Sequence, residues 1–540
     1  MPDSGRGAAD AVVLDASVLT MDPALPYAEA LAITGGRISH VGGRNEVAEL
    51  IGPATDVIEA GGRVACPGFV DIHTHTDLDL FRDPEHLLFK NYLMQGITTV
   101  LAGNCGMSEM APGELLARLD LHPPAVNFGT LAGHGYVRGA CGIPAGLEDL
   151  SGEQIEAMKG VFEKAMADGA FGMSTGLEYI PGLSSRTAEL IACATVVAEH
   201  GGFYASHMRS EGDHLLAAVE EAIRIGRDSG ARVQLSHLKT DGACNWWKTD
   251  AVIGAIEAAR ADGIDVAGDQ YPYRFFGWNP SIFIPGEHLA AGKPTLKSTY
   301  LRDPGHRRRI KAGIVDRIAR YHGGDGDLVV VFDWTDGRGQ RWQGTSLSRI
   351  LTERGVTPTP EEVAELILEM LPDERDDAVM GTDLSTNDDA VRRYLSLPYL
   401  AVCTDGFNQP WLAPCHPRSY GAFPKVLGEY VREKRTLPLE TALQKMTSLP
   451  ASLMGLEDRG ILRAGMRADV VVFDEATVGE RATFEAPAAP AGIDFVLVNG
   501  VVTVDRRTAA ADVFRLGTGS GQGGPGMVLR RPNRSASAAL

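Results

Sequence analysis

Several short apolar segments of this chain end in side chains that bind metals. In the first of them His73 and His75 are separated by one residue, so in a strand both imidazoles project to the same face. The other segment ends add two histidines, a cysteine and an aspartate, and these are ligand types that Zn²⁺ accepts in proteins. The residues predicted to bind metal are His73, His75, Cys105, His207, His237 and Asp405.

Taken singly, each of these residues has an ordinary structural explanation. A lone His-x-His pair is a weak motif, a single histidine is more often hydrogen-bonded in a core, and free cysteine is commonly buried as a small apolar side chain. The joint pattern is more specific, because only 14 histidines occur in 540 residues and four of them stand at corresponding segment ends. The pattern therefore predicts one metal centre assembled from several segments.

Eight apolar runs alternate with amphipathic stretches of helical length, which is typical of a parallel α/β architecture. Their continuous apolar character suits strands that are buried on both faces. Eight strands with intervening helices predict a (β/α)8 barrel of the TIM type, in which the carboxyl ends of all strands meet at one rim. The runs are GFVDIHTH, ITTVLAGNCG, VNFGTLAGHG, GAFGMSTGLEY, GFYASHMRS, RVQLSHLK, DVAGDQYPY and YLAVCTDG.

The barrel is predicted to span residues 64–460. A subdomain is predicted within it at about 285–350, because the gap between the seventh and eighth runs is longer than one helix requires. Short alternating strands with Gly-Gly turns in residues 1–63, and similar strands in 461–510, predict a small β-sandwich domain built from both chain ends. Residues 511–540 have the composition of a linker and are predicted to be disordered.

Composition and charge argue against several classes of function and location. The net charge of −19 argues against a general affinity for nucleic acid or for acidic membrane surfaces. No apolar stretch reaches the ~18 residues of a spanning helix, and no secretory signal is readable at the start. Seven scattered cysteines, an odd number, fit a reducing cytoplasm better than a disulfide framework. We therefore expect a cytoplasmic protein without nucleic-acid or membrane partners. Whether the protein forms a homo-oligomer stays open.

The order of the motifs carries a resemblance to a known family. GFVDIHTHTD, GNCGMS, STGLEYIPG, SHMRSEG, SHLK, DQYPY, TDGF and HPRSYGAFPKVL resemble the N-acyl-D-amino-acid deacylases (D-aminoacylases) of the amidohydrolase superfamily, over roughly residues 10–505. The resemblance implies zinc-dependent hydrolysis of the amide bond of an N-acyl-D-amino acid or a related N-acyl compound. It also implies one tightly bound Zn²⁺ and a weaker adjacent site. The implied ligands are Cys105, His207 and His237 for the tight ion, and His73, His75 and Asp405 for the adjacent site.

Two other functions stay open from the sequence. The chain could be an amidohydrolase acting on a cyclic amide or a specialised metabolite. Hydantoinases, dihydroorotases and ureases share the barrel but bridge two metals with a carbamylated lysine of the fourth strand, and the fourth run here contains no lysine. Cys105 would take the place of that bridge. The chain could also be a scaffold that has lost catalysis, although no metal ligand is missing.

Asp405 is the predicted catalytic residue. Zinc supplies hydroxide at neutral pH and polarises a scissile carbonyl. A carboxylate beside the metal can accept the proton of the attacking water and pass it to the leaving amine, while also serving as a ligand. We expect both roles for Asp405.

Substrate binding is predicted on the same rim. On a strand Lys239 faces the same side as His237, and Arg418 follows Asp405 closely enough to lie in a rim loop. The alternative explanation for Lys239 and Arg418 is that each is a solvated surface charge, as is usual for lysine and arginine. By resemblance, four positions bind the substrate carboxylate, and arginine suits that task through its bidentate fork. The four positions are Tyr179, Lys239, Tyr271 and Arg418.

The chain departs from the family pattern after DQYPY. The deacylases usually continue with small and hydroxyl residues, whereas Arg274 here is followed by Phe275-Phe276-Gly277-Trp278. The aromatic rings could pack the inserted subdomain, as aromatics usually do in cores. Alternatively, Phe276 and Trp278 shape a substrate pocket for bulky groups. His134 also lies at the end of a run. Two explanations for it stay open, namely a supporting role beside the metal centre and ordinary hydrogen-bonded packing.

Overall fold

The centre of the protein is a barrel of eight parallel strands, which confirms the predicted fold. The computed structural model describes residues 7–278, 280–289, 296–371, 379–383, 385–413, 415–506, 513–515 and 523–531. Each of the eight predicted runs contains one barrel strand, and nearly all the strand residues are buried. The barrel strands are Phe69–Asp71, Ile97–Ala102, Asn127–Thr130, Gly172–Gly176, Phe203–His207, Arg232–Leu235, Val266–Gln270 and Leu400–Val402.

Neighbouring barrel strands pair in parallel in chain order. The third strand continues as Ala132–Gly133, which pairs with the fourth. At the other seam, Thr74–His75 and Gly406–Phe407 extend the first and eighth strands and pair in parallel. The backbone amide of Asp405 also donates to the carbonyl of His73 at 3.0 Å. The ends of the first and eighth strands, which carry predicted metal-binding residues, are therefore adjacent.

Helices cover the outside of the barrel, and local signals set their ends. The helix Gly152–Ala167 begins with a capping box between Ser151 and Gln154, and Leu215–Ser229 ends at Gly230 in the left-handed conformation. Within the described residues no helix is both long and apolar enough to cross a bilayer. The other helices of the barrel are Lys90–Leu93, Pro112–Leu121, His134–Ala140, Thr187–Glu199, Thr249–Ala261, Asp388–Ser396, Arg418–Lys425, Leu439–Met446 and Ser448–Met454, with a π-helical stretch Val426–Glu433.

A small β-domain is built from both chain ends, as predicted. The C-terminal strand Val470–Phe473 pairs antiparallel with the N-terminal strand Val64–Pro67. One sheet has four strands and the other has six. The strands in sheet order are Arg37–Gly42, Ala30–Thr34, Ala11–Leu14 and Asp56–Glu59 in the first sheet, and Val501–Asp505, Ile493–Val498, Val470–Phe473, Val64–Pro67, Ser17–Leu19 and Tyr27–Ala28 in the second, with the helix Arg44–Ala48 beside the first.

An insertion lies between the seventh and eighth barrel strands and has its own antiparallel sheet. Phe276–Trp278 and Val379–Thr382 belong to that sheet, so the insertion begins before and ends after the predicted range of about 285–350. Its longest helix, Pro304–His322, begins at the capping side chain of Asp303 and ends at left-handed Gly323. Its other elements are the strands Val329–Thr335 and Arg341–Ser346 and the helices Gly286–Leu289, Leu347–Glu353 and Pro360–Met370.

The prediction of disorder for residues 511–540 was wrong for residues 523–531. Leu529 is 8% exposed, and its amide donates to the carbonyl of Phe128 in the third barrel strand at 2.7 Å. A Cβ at Gly526 would lie 2.0 Å from the carbonyl oxygen of Val126, so glycine permits this close approach. The glycine-rich composition that suggested a linker serves packing here. Apart from residues 513–515, the rest of the predicted tail lies outside the described residues.

A buried charge network joins the small β-domain to the barrel. One carboxylate oxygen of Asp469 accepts from Arg459 at 2.6 Å and from the Asn127 amide at 3.0 Å. The other oxygen accepts from the backbone amide of Asn499 at 2.8 Å. Asp469 and Arg459 are each 4% exposed, so neither charge can be solvated if its partner is lost.

We predict that Asp469→Ala lowers the free energy of unfolding by about 3 kcal/mol, because it leaves Nη1 of the buried Arg459 without its carboxylate partner. The Nε of Arg459 keeps only the partly exposed Asp458, at 3.2 Å. The measurement is denaturant unfolding followed by circular dichroism. The matched control is Asp120→Ala, which breaks an exposed ion pair with Arg530 and should cost about 0–1 kcal/mol. Equal losses in the two variants would contradict the role given to the buried network.

Candidate metal centre

The structure brings all six predicted metal-binding residues together at the carboxyl rim of the barrel. Their ligand atoms form two groups, and within each group these atoms lie within 4.8 Å of one another. Cys105 belongs to both groups, so its thiol stands between them. The first group is His73, His75, Cys105 and Asp405, and the second is Cys105, His207 and His237.

Cys105 and two histidines present a donor set that fits Zn²⁺. The Sγ of Cys105 is 3.4 Å from Nε2 of His237, and that nitrogen is 2.9 Å from Nδ1 of His207. Two imidazole nitrogens and a sulfur therefore converge, and nitrogen and sulfur ligands are those that zinc binds. Burial by itself raises the pKa of the Cys105 thiol, but the charges of His73 and His237 bring it well below its ordinary value. The sulfur is thus held as the thiolate that a metal requires.

Three of the rim residues adopt the left-handed backbone conformation. Cys105, His237 and Asp405 have φ values of 53°, 34° and 49°, which cost non-glycine residues free energy and concentrate at functional sites. The turn at Cys105 continues through Gly106, with φ 72°. A Cβ at Gly106 would meet the backbone nitrogen of Gly176 at 2.7 Å. Sharp turns at the strand ends thus aim these side chains across the rim.

Carboxylates bind the outer nitrogens of three of the four imidazoles. Such partners fix the ring orientation and raise the basicity of a metal-binding histidine. No role was predicted for these acids from the sequence, although their position could have revealed them, because each lies at or just beyond a strand end, as the predicted metal ligands do. The pairs are Asp269 with Nδ1 of His73 at 3.0 Å, Glu178 with Nε2 of His207 at 3.3 Å, and Glu211 with Nδ1 of His237 at 2.9 Å.

Asp405 is buried between a histidine and an arginine. One oxygen lies 3.1 Å from Nε2 of His75, and the other accepts from Nη1 of Arg418 at 2.5 Å. Burial raises the pKa of Asp405, but the charge of Arg418 leads the opposing contributions and holds that pKa well below its ordinary value. Asp405 is therefore an ionised carboxylate that can accept a proton.

Five predicted substrate-binding residues line one inner cavity of about 30 Å³ beside the metal ligands. Lys239 is not a free charge there, because its Nζ donates to Glu211 at 2.5 Å. The buried hydroxyl of Tyr271 has no hydrogen-bond partner among the described residues. The Tyr271 ring lies 5.5 Å from the Lys239 ammonium and 4.9 Å from the Arg418 guanidinium. The five residues are Tyr179, Lys239, Tyr271, Phe276 and Arg418.

The aromatic residues that follow the seventh strand have different surroundings in the structure. Phe276 lines the inner cavity, whereas the Phe275 ring packs on Phe484 with 4.2 Å between centroids. The side chain of Trp278 lies outside the described part of the chain. His134 is fully buried, its Nε2 lies 2.8 Å from Glu189, and it belongs to neither of the two ligand groups. Packing therefore accounts for Phe275 and His134.

The carboxylate partners generate a prediction about metal affinity. Glu178→Gln keeps the size of the side chain but removes the charge that supports His207. We expect zinc affinity to fall by about 10–100-fold, the usual effect of losing such a partner. Competition with a chromophoric chelator measures it. Glu148→Gln, which alters an exposed ion pair with Arg186, serves as control. Unchanged zinc affinity in the Glu178 variant would show that the carboxylate does not support the ligand.

Comparisons with known proteins agree with this site. A model of the amidohydrolase family matches residues 404–504. An N-acyl-D-glutamate deacylase and a D-aminoacylase of Alcaligenes xylosoxydans xylosoxydans are 35% and 34% identical to this chain over 502 and 500 residues. These matches cover 87% and 86% of this chain, and 88% and 90% of the relatives.

Solved structures show the same relationship. The crystal structure of an N-acyl-D-glutamate deacylase from Bordetella bronchiseptica, complexed with zinc and a phosphonate inhibitor, superposes with a TM-score of 0.78 at 29% identity. The match covers 97% of this chain and 100% of that one. A D-hydantoinase, with a TM-score of 0.55 at 14% identity, shares the fold alone. The chain therefore belongs to the N-acyl-D-amino-acid deacylase family of the metal-dependent amidohydrolases.

Proposed function

We propose that this protein hydrolyses the amide bond of N-acyl-D-amino acids with a zinc ion held by Cys105, His207 and His237. The observation that carries the proposal is the position of the Cys105 sulfur, which contacts imidazoles of both ligand groups at 3.3 and 3.4 Å. The deacylase from Bordetella bronchiseptica is described with zinc, which supports this choice of metal. His73, His75 and Asp405, with the same sulfur, form the weaker second site.

The reaction needs a base, an acid and a bound substrate. When bound, zinc acts as a Lewis acid on the scissile carbonyl and makes hydroxide available at neutral pH. Asp405 accepts the proton of the attacking water and returns it to the leaving amine. His75 and Arg418 hold its carboxylate from either side, so it stays in place through both proton transfers.

In this proposal Arg418 is the main residue that binds the substrate carboxylate. Only part of its guanidinium is used by Asp405, and its buried Nε has no partner within the described structure. The unpartnered Tyr271 hydroxyl and the Lys239 ammonium are the neighbouring donors. An arginine fork binds a carboxylate through two parallel hydrogen bonds. A substrate carboxylate anchored there places the amide carbonyl beside the metal ligands.

The other functions have less support. The fourth strand, Gly172–Gly176, offers no lysine as a bridge between metals, which separates this centre from the hydantoinase form. A non-catalytic scaffold has no reason to keep the complete ligand set together with its supporting carboxylates. We also propose a cytoplasmic location, because all seven cysteines are unpaired and unpaired thiols persist in a reducing compartment. A homo-oligomer stays a prediction.

The first test is a deacylation screen. The purified protein should release the free amino acid from N-acyl-D-amino acids and leave the L-isomers largely intact. Cys105→Ala should lose tight zinc, measured by atomic absorption, and nearly all activity, while its circular dichroism spectrum is preserved. Cys244→Ala, at an exposed cysteine, is the matched control. Full activity with normal zinc in Cys105→Ala would refute the ligand assignment.

Arg418 generates a second prediction. Arg418→Met should raise KM for carboxylate substrates by ~10-fold or more relative to their amide analogues, because charged hydrogen bonds are worth ~1.5–3 kcal/mol. Both substrate classes should also lose turnover, since Asp405 loses its partner. Steady-state kinetics on both classes separates the two effects, and Arg418→Lys, which keeps the charge, should recover part of the loss. Equal changes in KM for the two classes would contradict carboxylate binding by Arg418.

A further inference from the structure

Beside the inner cavity the rim holds a much larger outer chamber of about 1370 Å³. The inner cavity, at about 30 Å³, has room for about two water-sized groups. Ligand sites for small molecules usually measure ~300–1,000 Å³, so the outer chamber is large enough for a substantial group. Cys105, Tyr179, Gly277 and Arg418 line both spaces. The two spaces therefore meet at the metal centre.

Apolar side chains from several rim loops face the outer chamber. They are partly exposed in the structure, so they present free apolar surface to a ligand. The insertion supplies the opposite wall, where the Phe332 ring is stacked on Phe484 at 5.1 Å with 9° between the planes. Charged residues lie at the solvent side, as Arg82 and Asp79 are 77% and 61% exposed. The partly exposed apolar residues are Leu78, Met107, Ile180, Leu289 and Phe407.

The position of the chamber relative to the anchoring groups decides which part of the substrate it can take. This step rests on the proposed function. A carboxylate bound by Arg418 and Tyr271 fills much of the inner cavity, and the scissile carbonyl must lie beside the Cys105 sulfur. The chain continues from Cys105 through Gly106 and Met107 along the wall of the outer chamber. In an N-acyl amino acid the acyl group lies on the opposite side of the scissile carbonyl from the carboxylate. With the carboxylate in the inner cavity and the carbonyl at the metal centre, the acyl group is therefore the part directed towards the outer chamber.

We propose that the outer chamber binds the acyl group of the substrate, and that this group is a medium-chain aliphatic or arylalkanoyl group rather than acetyl. Its apolar surface would be buried against Met107, Leu78 and the wall that carries Phe332. Each buried methylene raises affinity about four-fold when its apolar surface is fully removed from water. The preference therefore grows with chain length until the chamber mouth is reached.

The experiment compares two matched substrate series. In one series D-alanine carries acetyl, butanoyl, hexanoyl, octanoyl or phenylacetyl groups. In the other, N-acetyl is kept and the amino-acid side chain is lengthened by the same number of carbons. We expect kcat/KM to rise by at least 10-fold from acetyl to octanoyl in the first series and to rise less in the second. A flat first series, or a larger rise in the second, overturns the acyl assignment. No cleavage of any N-acyl-D-amino acid would instead refute the proposed function.

Two variants connect the preference to the chamber wall. Met107→Gln and Leu78→Asn keep side-chain size but make the wall polar, and each should reduce the octanoyl-to-acetyl ratio of kcat/KM by ~3-fold or more. Zinc content and the circular dichroism spectrum report that the centre and the fold are intact. Leu121→Asn, at a residue that is 77% exposed on the helix Pro112–Leu121 and outside the chamber, is the control. An unchanged ratio in both wall variants would also overturn the proposal.

Discussion

The architecture of this site depends on one buried thiolate that must lie between two groups of imidazoles. The Cys105 sulfur is 3.3 Å from His73 and 3.4 Å from His237, and no other described residue belongs to both of those ligand groups. To reach that place the chain leaves the second strand in a left-handed turn, with φ 53° at Cys105 and 72° at Gly106. The surrounding fold must stabilise this conformation, because the turn is not favourable by itself.

Charge balance around the thiolate explains much of the rest of the rim. Buried imidazoles beside a sulfur anion need partners on their outer nitrogens, and carboxylates from neighbouring strand ends supply them. Asp269 supports two of the histidines at once, because one of its oxygens contacts both Nδ1 of His73 and the backbone amide of His237. Lys239 and Arg418 in turn contact Glu211 and Asp405. The residues that bind substrate in our proposal are thus also part of the electrostatic support of the metal ligands.

The barrel and the insertion contribute different parts of the site. The barrel provides the predicted metal ligands, because its strand ends meet at one rim and bring the ligand atoms of each group within 4.8 Å of one another. The insertion provides walls, since Phe276 borders the inner cavity and Phe332 the outer chamber. The helix Pro304–His322 also contacts the rim, where its Arg317 lies 3.3 Å from Asp241. Substrate preference can therefore change through the insertion while the metal ligands stay the same.

The amino-acid pattern was sufficient to predict the barrel, because buried parallel strands require continuous apolar runs. It also indicated which side chains could bind metal, because polar residues such as His207 and His237 mark the ends of those runs. Its local signals failed where composition misleads, as in the packed residues 523–531. Which charges are paired, and which cavity each side chain lines, became visible in the three-dimensional structure alone. His75 and Asp405 lie 330 residues apart in the chain yet 3.1 Å apart in space. Such distances follow from how the barrel closes, and no local pattern of residues encodes them.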